Sequence, residues 1–110
     1  MPNVKIYVDQ ALPAEAHEAL ATALVSVRAL LAQALGVGPE AFQFAMLTVY
    51  AMDDLPPVNV EISILPTPGR TREKIKGVGE DLQRLLSAAA AARVAVRIGL
   101  LDPQSYLALK

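Results

Sequence analysis

The chain opens Met1-Pro2. So small a second residue normally permits removal of the initiator methionine, and the nitrogen of Pro2 then becomes a secondary amine. An ordinary α-amino group titrates near ~7.7–8.0, and an apolar setting disfavours its charged form. Fixed at the head of a packed strand, such an amine suits general base work, carrying a proton between carbon and oxygen. While Met1 stays attached, the same nitrogen is a tertiary amide with no lone pair to offer. Arg97 is the second residue with chemistry in it, because it interrupts the apolar run VAVRIGLL. An unpaired charge buried there would cost several kcal/mol, so Arg97 either lines a pocket or forms an ion pair, with Glu61 as a partner on a neighbouring strand. The remaining inventory is sparse. Without cysteine there is no thiol nucleophile, disulfide framework or Cys-based zinc site. His17, the single histidine, rules out a His-rich metal site and reads as solvent-facing. Asp53 and Asp54 are adjacent with no third ligand in spacing, which reads as a solvated turn. We expect no metal and no cofactor.

The elements that must position these residues follow from periodicity. Residues 3–9 (NVKIYVD) alternate, with Val4, Ile6 and Val8 on one face, as in a strand with one buried side. Pro13 suits the first turn of a helix over residues 14–35, whose stripe is Leu20, Leu24, Val27, Leu31 and Leu35. Gly36, Gly38 and Pro39 end it. Residues 42–50 (FQFAMLTVY) are apolar on both faces and predict a strand covered on both sides. After the loop at residues 53–57, residues 58–65 (VNVEISIL) alternate again. Thr71 is placed to cap a second helix bearing Ile75, Val78, Leu82, Leu85, Leu86 and Ala89, with Glu73 in its first turn. A fourth strand covers residues 93–101 and Asp102-Pro103 ends it; the tail SYLALK is short and apolar, and its Tyr106 could wall a pocket.

The order is β-α-β twice, and the halves echo each other. NVKIYV from Asn3 and NVEISI from Asn59 share the pattern Asn-Val-charged-Ile-polar-aliphatic. Two βαβ repeats, over residues 2–52 and 58–102, are the economical reading of a single domain spanning residues 1–110. Parallel pairing with a right-handed crossover inside each repeat gives an α/β protein (α+β by some schemes). Its mixed four-stranded sheet carries both helices on one face, and the other face is expected to lie bare and apolar.

Composition sets the outer bounds. The 110 residues are 54% hydrophobic and 19% charged, which excludes intrinsic disorder. A formal charge of −1 without a basic run argues against nucleic acid as partner. No uninterrupted apolar stretch reaches the ~20 residues of a membrane span, and the N-terminus lacks a signal peptide's basic-then-apolar layout. A cytoplasmic protein with no membrane partner is expected. The apolar share exceeds what one modest core consumes, so burial between subunits is also expected.

Pro2 ahead of an immediate strand, the two βαβ copies, and Gly69-Arg70-Thr71-Arg72-Glu73 at the entrance to the second helix together resemble the tautomerase superfamily. Residues 59–86, Leu101-Asp102-Pro103 and the terminal Lys110 are most similar to the 5-carboxymethyl-2-hydroxymuconate isomerase family. The resemblance implies a tautomerase/MIF-like fold, a homotrimer and a cofactor-independent isomerase acting on an unsaturated keto or enol carboxylic acid. It implies Pro2 as catalytic base, Arg70 on a substrate carboxylate, Arg72 as a weaker candidate, and Arg97 lining the pocket. A guanidinium at a helix entrance suits a carboxylate and the enolate-like charge that develops as the proton leaves. The sequence departs from that family on the second strand of the first repeat, where the isomerases carry an arginine and this chain has the neutral run Phe42-Gln43-Phe44-Ala45. Gln43 can hydrogen-bond a substrate but cannot neutralise a second carboxylate. The same scaffold in its hydratase or dehalogenase form would use a protonated Pro2 as acid, and a trimer that keeps the fold without the site is the third reading.

Overall fold

The computed structural model describes residues 2–110; Met1, and with it the expected removal of the methionine, lies outside the described residues. The elements run β1 (Asn3–Asp9), α1 (Ala14–Leu35), a single 3-10 turn (Pro39–Ala41), β2 (Gln43–Val49), β3 (Val58–Ile64), α2 (Arg72–Ala90) and β4 (Val94–Leu100). The sheet order is β2-β1-β3-β4. β1 and β2 are parallel, as are β3 and β4, while the central pair β1 and β3 is antiparallel. The mixed sheet built from two βαβ units is therefore present as expected.

Alternation decides which residues enter the core. Val4, Ile6, Val8, Val58, Val60, Ile62 and Ile64 are all at most 2% exposed and form the helix-covered side of the two central strands. From above, α1 contributes Leu20, Val27 and Leu31, and α2 contributes Leu82 and Leu86, all fully buried. Leu24 and Leu35 of the expected stripe are only half-buried. At 22 residues α1 is long and apolar enough, by length and composition alone, to cross a bilayer. Ala16, Leu20, Val27 and Leu31 are its buried residues, and the last three belong to this core.

The helix ends behave as their residue types dictate. Pro13 stands one residue ahead of α1, at the N-cap rather than inside the first turn, and its carbonyl accepts the Ala16 N–H at 3.0 Å. Gly36 closes α1 in the left-handed conformation with φ 67°, which glycine adopts without a Cβ penalty. Thr71 caps α2, its hydroxyl accepting the Lys74 N–H at 3.2 Å. Ala91 ends α2 with φ 51°, the same left-handed state adopted by a residue that pays for its Cβ.

Two expectations are corrected. β2 is an edge strand rather than a doubly covered one: Gln43, Ala45 and Leu47 are exposed, while Phe44 and Met46 reach the core only partly. Its apolar residues on both faces are real, but β1 alone pairs with it inside one chain. The helix-free face of the sheet is likewise bare but not apolar. Because the valines and isoleucines of β1 and β3 occupy the helix side, the other side must carry the alternate residues. These include Lys5, Tyr7, Asn59, Glu61, Ser63 and, from β4, Arg97.

Candidate active site

Pro2 sits at the head of β1 and is buried. Its carbonyl accepts the Gln43 N–H at 3.0 Å, which begins the β1–β2 ladder and fixes the two residues side by side. Because β3 runs antiparallel to β1, the C-terminal ends of β3 and β4 arrive at this same end of the sheet. The Leu101 N–H donates to Ile64 O at 2.8 Å, carrying the β3–β4 ladder one residue further. The chain then turns at Asp102, whose carbonyl accepts the Tyr106 N–H at 2.9 Å. This turn sends the tail back over Pro2. The result is a cleft of about 190 Å³ with Pro2, Asn3 and Gln43 on one side and Tyr106, Ala108 and Lys110 on the other.

The structure thus brings together Pro2 and Gln43 from the sequence-derived set. Tyr106 walls the cleft. The three arginines lie elsewhere. Arg70 is at the correct end of the sheet but is turned inward: its Nη1 donates to Leu65 O at 2.6 Å and its Nη2 to Leu35 O at 3.4 Å. Its Nε is buried without a partner. The guanidinium therefore ties the β3–α2 loop to the C-terminal end of α1. Arg72 opens α2 and lines a surface groove between that helix and β4, together with Lys76, Glu80 and Ile98.

Arg97 lies on the bare face. In register it stands opposite Glu61, and Glu61 opposite Lys5, so three alternating charges cross the sheet in one row. Its guanidinium, however, donates to Asn59 Oδ1. Asn59 pairs with Tyr7, further from Pro2 than the charge row itself. Lys5 is three residues along β1 from Pro2, and Arg97 is two strands across from Lys5. At ~3.3 Å per residue and ~4.8 Å between strands, the backbones of Pro2 and Arg97 are separated by roughly 10 Å in each direction. A second cleft of about 460 Å³ opens beside Arg97, with Asn59, Ala95, Tyr50, Met52 and Leu55 around it.

Asn3, Ala108, Leu109 and Lys110 are the cleft residues that the sequence did not mark as site residues. Asn3 was hidden because it reads as an ordinary strand residue. Ala108, Leu109 and Lys110 line the cleft in succession, so no periodicity in SYLALK marked Lys110. Among the described residues no group of three or more His, Cys, Asp or Glu is arranged to hold a metal ion.

No family model and no curated protein matches the chain. Solved structures do. A fused 4-OT, of the tautomerase superfamily, superposes with a TM-score of 0.75 at 12% identity over 96% of this chain and 91% of its own. The macrophage migration inhibitory factor-like protein of Entamoeba histolytica gives 0.73 at 11% identity, covering 97% of this chain and 94% of that one. A protein of unknown function from Vibrio cholerae gives 0.72 at 17% identity over 97% of this chain and 83% of its own. The chain has the fold of 4-OT and MIF-like proteins. At these identities the likeness is one of architecture, and the residues of the cleft must carry the chemistry on their own.

Proposed function

We propose that the protein is a cofactor-independent tautomerase, in which Pro2, freed of Met1, takes a proton from an enol oxygen or activated carbon of an unsaturated keto or enol carboxylic acid. The same amine returns the proton elsewhere on the conjugated system, so the reaction is a net isomerisation with no other reactant. The observation that carries this reading is the burial of Pro2 at the head of β1, on the wall of a cleft it shares with Gln43. A strand that is held on both sides fixes the ring, and burial favours the neutral amine that a base requires. The Gln43 amide can donate to a substrate carbonyl as charge develops there.

The proposed working form is a cytoplasmic homotrimer. Two fused 4-OT structures of this fold are described as trimers, one asymmetric and one symmetric. The unpaired edges of β2 and β4 and the exposed Tyr50, Met52 and Leu55 (91%, 67% and 55%) support burial against another copy. In such an assembly Arg97 serves the Pro2 cleft of a neighbouring copy, because inside one chain it is too far away. Arg70 and Arg72 keep their proposed place on the substrate carboxylate only if the Arg70 guanidinium leaves its two carbonyls. The isomerase family named above is the finer form of this proposal.

Pro2→Ala is expected to leave the oligomer intact and to abolish conversion of phenylenolpyruvate and 2-hydroxymuconate; unchanged turnover would sink the proposal. Intact mass decides the preceding condition, since a retained methionine leaves no amine at Pro2. That all three arginines lie outside the Pro2 cleft in one chain favours one other reading, a trimeric protein that keeps the scaffold without the reaction. Normal assembly with no turnover of any enol acid is the result that would select it.

A further inference from the structure

We infer that Lys110 is the group that holds the carboxylate of the substrate, so that the tail after β4 sets the preference of the Pro2 cleft for acids. This rests on the reading of Pro2 as the proton-transfer base. The tail is not a loose end at its root. Asp102 Oδ1 accepts the Gln104 N–H at 2.9 Å, and the Asp102 carbonyl accepts the N–H groups of Ser105 and Tyr106. Through Leu101 and Ile64 this turn is pinned to the sheet. Its geometry therefore delivers the following residues to one place, the end of the sheet where Pro2 lies.

Among the described residues that line this cleft, Lys110 is the one with a cationic side chain. The alternatives are committed elsewhere: Arg70 to the carbonyls of Leu65 and Leu35, and Arg97 to Asn59 on the far part of the bare face. Among the described residues no ion pair engages Lys110. An ammonium on a four-carbon stem offers three rotatable donors that can reach one carboxylate oxygen. The Gln43 amide on the facing wall and the Tyr106 hydroxyl on the same wall as Lys110 remain for the neutral oxygen of the substrate. The ligand that fits is a small conjugated acid with its carboxylate toward the tail and its enol toward Pro2. Among the described residues of one chain, the cleft offers no second side-chain cation for a second carboxylate.

The test compares phenylenolpyruvate with its methyl ester on the wild type, Lys110→Gln and Lys110→Arg. A charge-assisted contact predicts that Lys110→Gln raises KM for the acid about tenfold or more, changes KM for the ester less than about twofold, and affects kcat far less than KM. Lys110→Arg should recover most of the loss. Equal changes for acid and ester would overturn the inference. A second measurement separates it from the role of Pro2. Phenylacetate, which cannot react, is titrated into Pro2→Ala while the Lys110 side-chain nitrogen is followed by NMR. A saturable shift that phenylacetamide does not produce supports Lys110 as the carboxylate group, and no shift refutes it. If Pro2→Ala still turns over enols, the base reading falls while this titration continues to judge Lys110.

Discussion

The two βαβ units share one order, a strand, a helix and a parallel strand, and only one of the two can be the seat of an amine. Asn3 opens β1 opposite Gln43, and Asn59 lies in β3 opposite Ala95, so the cleft beside Pro2 has a repeat-related counterpart beside Val58. The first is the smaller, about 190 Å³, and is covered by the tail; the second, about 460 Å³, is framed by the loop carrying Tyr50 and Met52. At the position of Pro2 the second repeat has Val58, whose nitrogen belongs to an internal peptide and can never be a base. The second repeat has instead Arg97 where the first has Ala45. The duplicated scaffold thus separates two kinds of chemistry, a potential proton acceptor in one half and a fixed positive charge in the other. Only contact between copies could put them in one site.

Substitutions at repeat-related positions test how equal the halves are. The largest effects belong to the core. Ile6→Ala and Ile62→Ala remove equivalent side chains that are 0% and 2% exposed. Each should cost about 2–5 kcal/mol by denaturant unfolding at fixed protein concentration. A large gap between them would mean that one repeat carries the stability. Arg70→Ala comes next and has no counterpart in the first repeat. It strands the Leu65 and Leu35 carbonyls and should cost about 1–3 kcal/mol. No loss of stability would mean the guanidinium is free to leave those carbonyls for a ligand.

Smaller effects sit at the helix ends. Thr71→Ala should destabilise by about 1 kcal/mol, since its hydroxyl holds the Lys74 N–H; the equivalent end of α1 has no side-chain cap to lose. The opposite ends give a pair of opposed signs. Gly36→Ala should cost about 1 kcal/mol because its φ of 67° penalises a Cβ, although no atom crowds it. Ala91→Gly should gain about 0.5–1 kcal/mol by relieving the same penalty at φ 51°. Thermal unfolding resolves both, and equal signs would show that end geometry does not govern either helix.

Much of the fold was legible because it is written in short-range patterns. The period-two runs of β1 and β3 name their own buried faces, and Gly36 and Thr71 mark helix ends by their conformational preferences. The reading of β2 failed for a physical reason. A strand apolar on both faces looks the same whether a neighbour in the chain or a second copy covers it, and here nothing within the chain covers its outer side. The bare face was misjudged similarly: an overall apolar surplus does not say where the surplus lies, whereas the alternation of Lys5, Tyr7, Asn59 and Glu61 already made that face polar. At the site, Pro2 and Gln43 were each marked by residue type, and the β1–β2 register of the folded chain set them side by side. Arg70 could not be placed, because a loop arginine reaches a ligand or a carbonyl with equal ease.

By itself the amino-acid order determined the elements, their order and where each side-chain type lies along the chain, since propensity and side-chain type are local properties. The folded chain decided which of these meet. It folded the tail onto Pro2 through the Asp102 turn, set Arg70 on two backbone carbonyls, and left Arg97 two strands away, because such distances depend on strand register and loop path, which no short stretch of sequence contains.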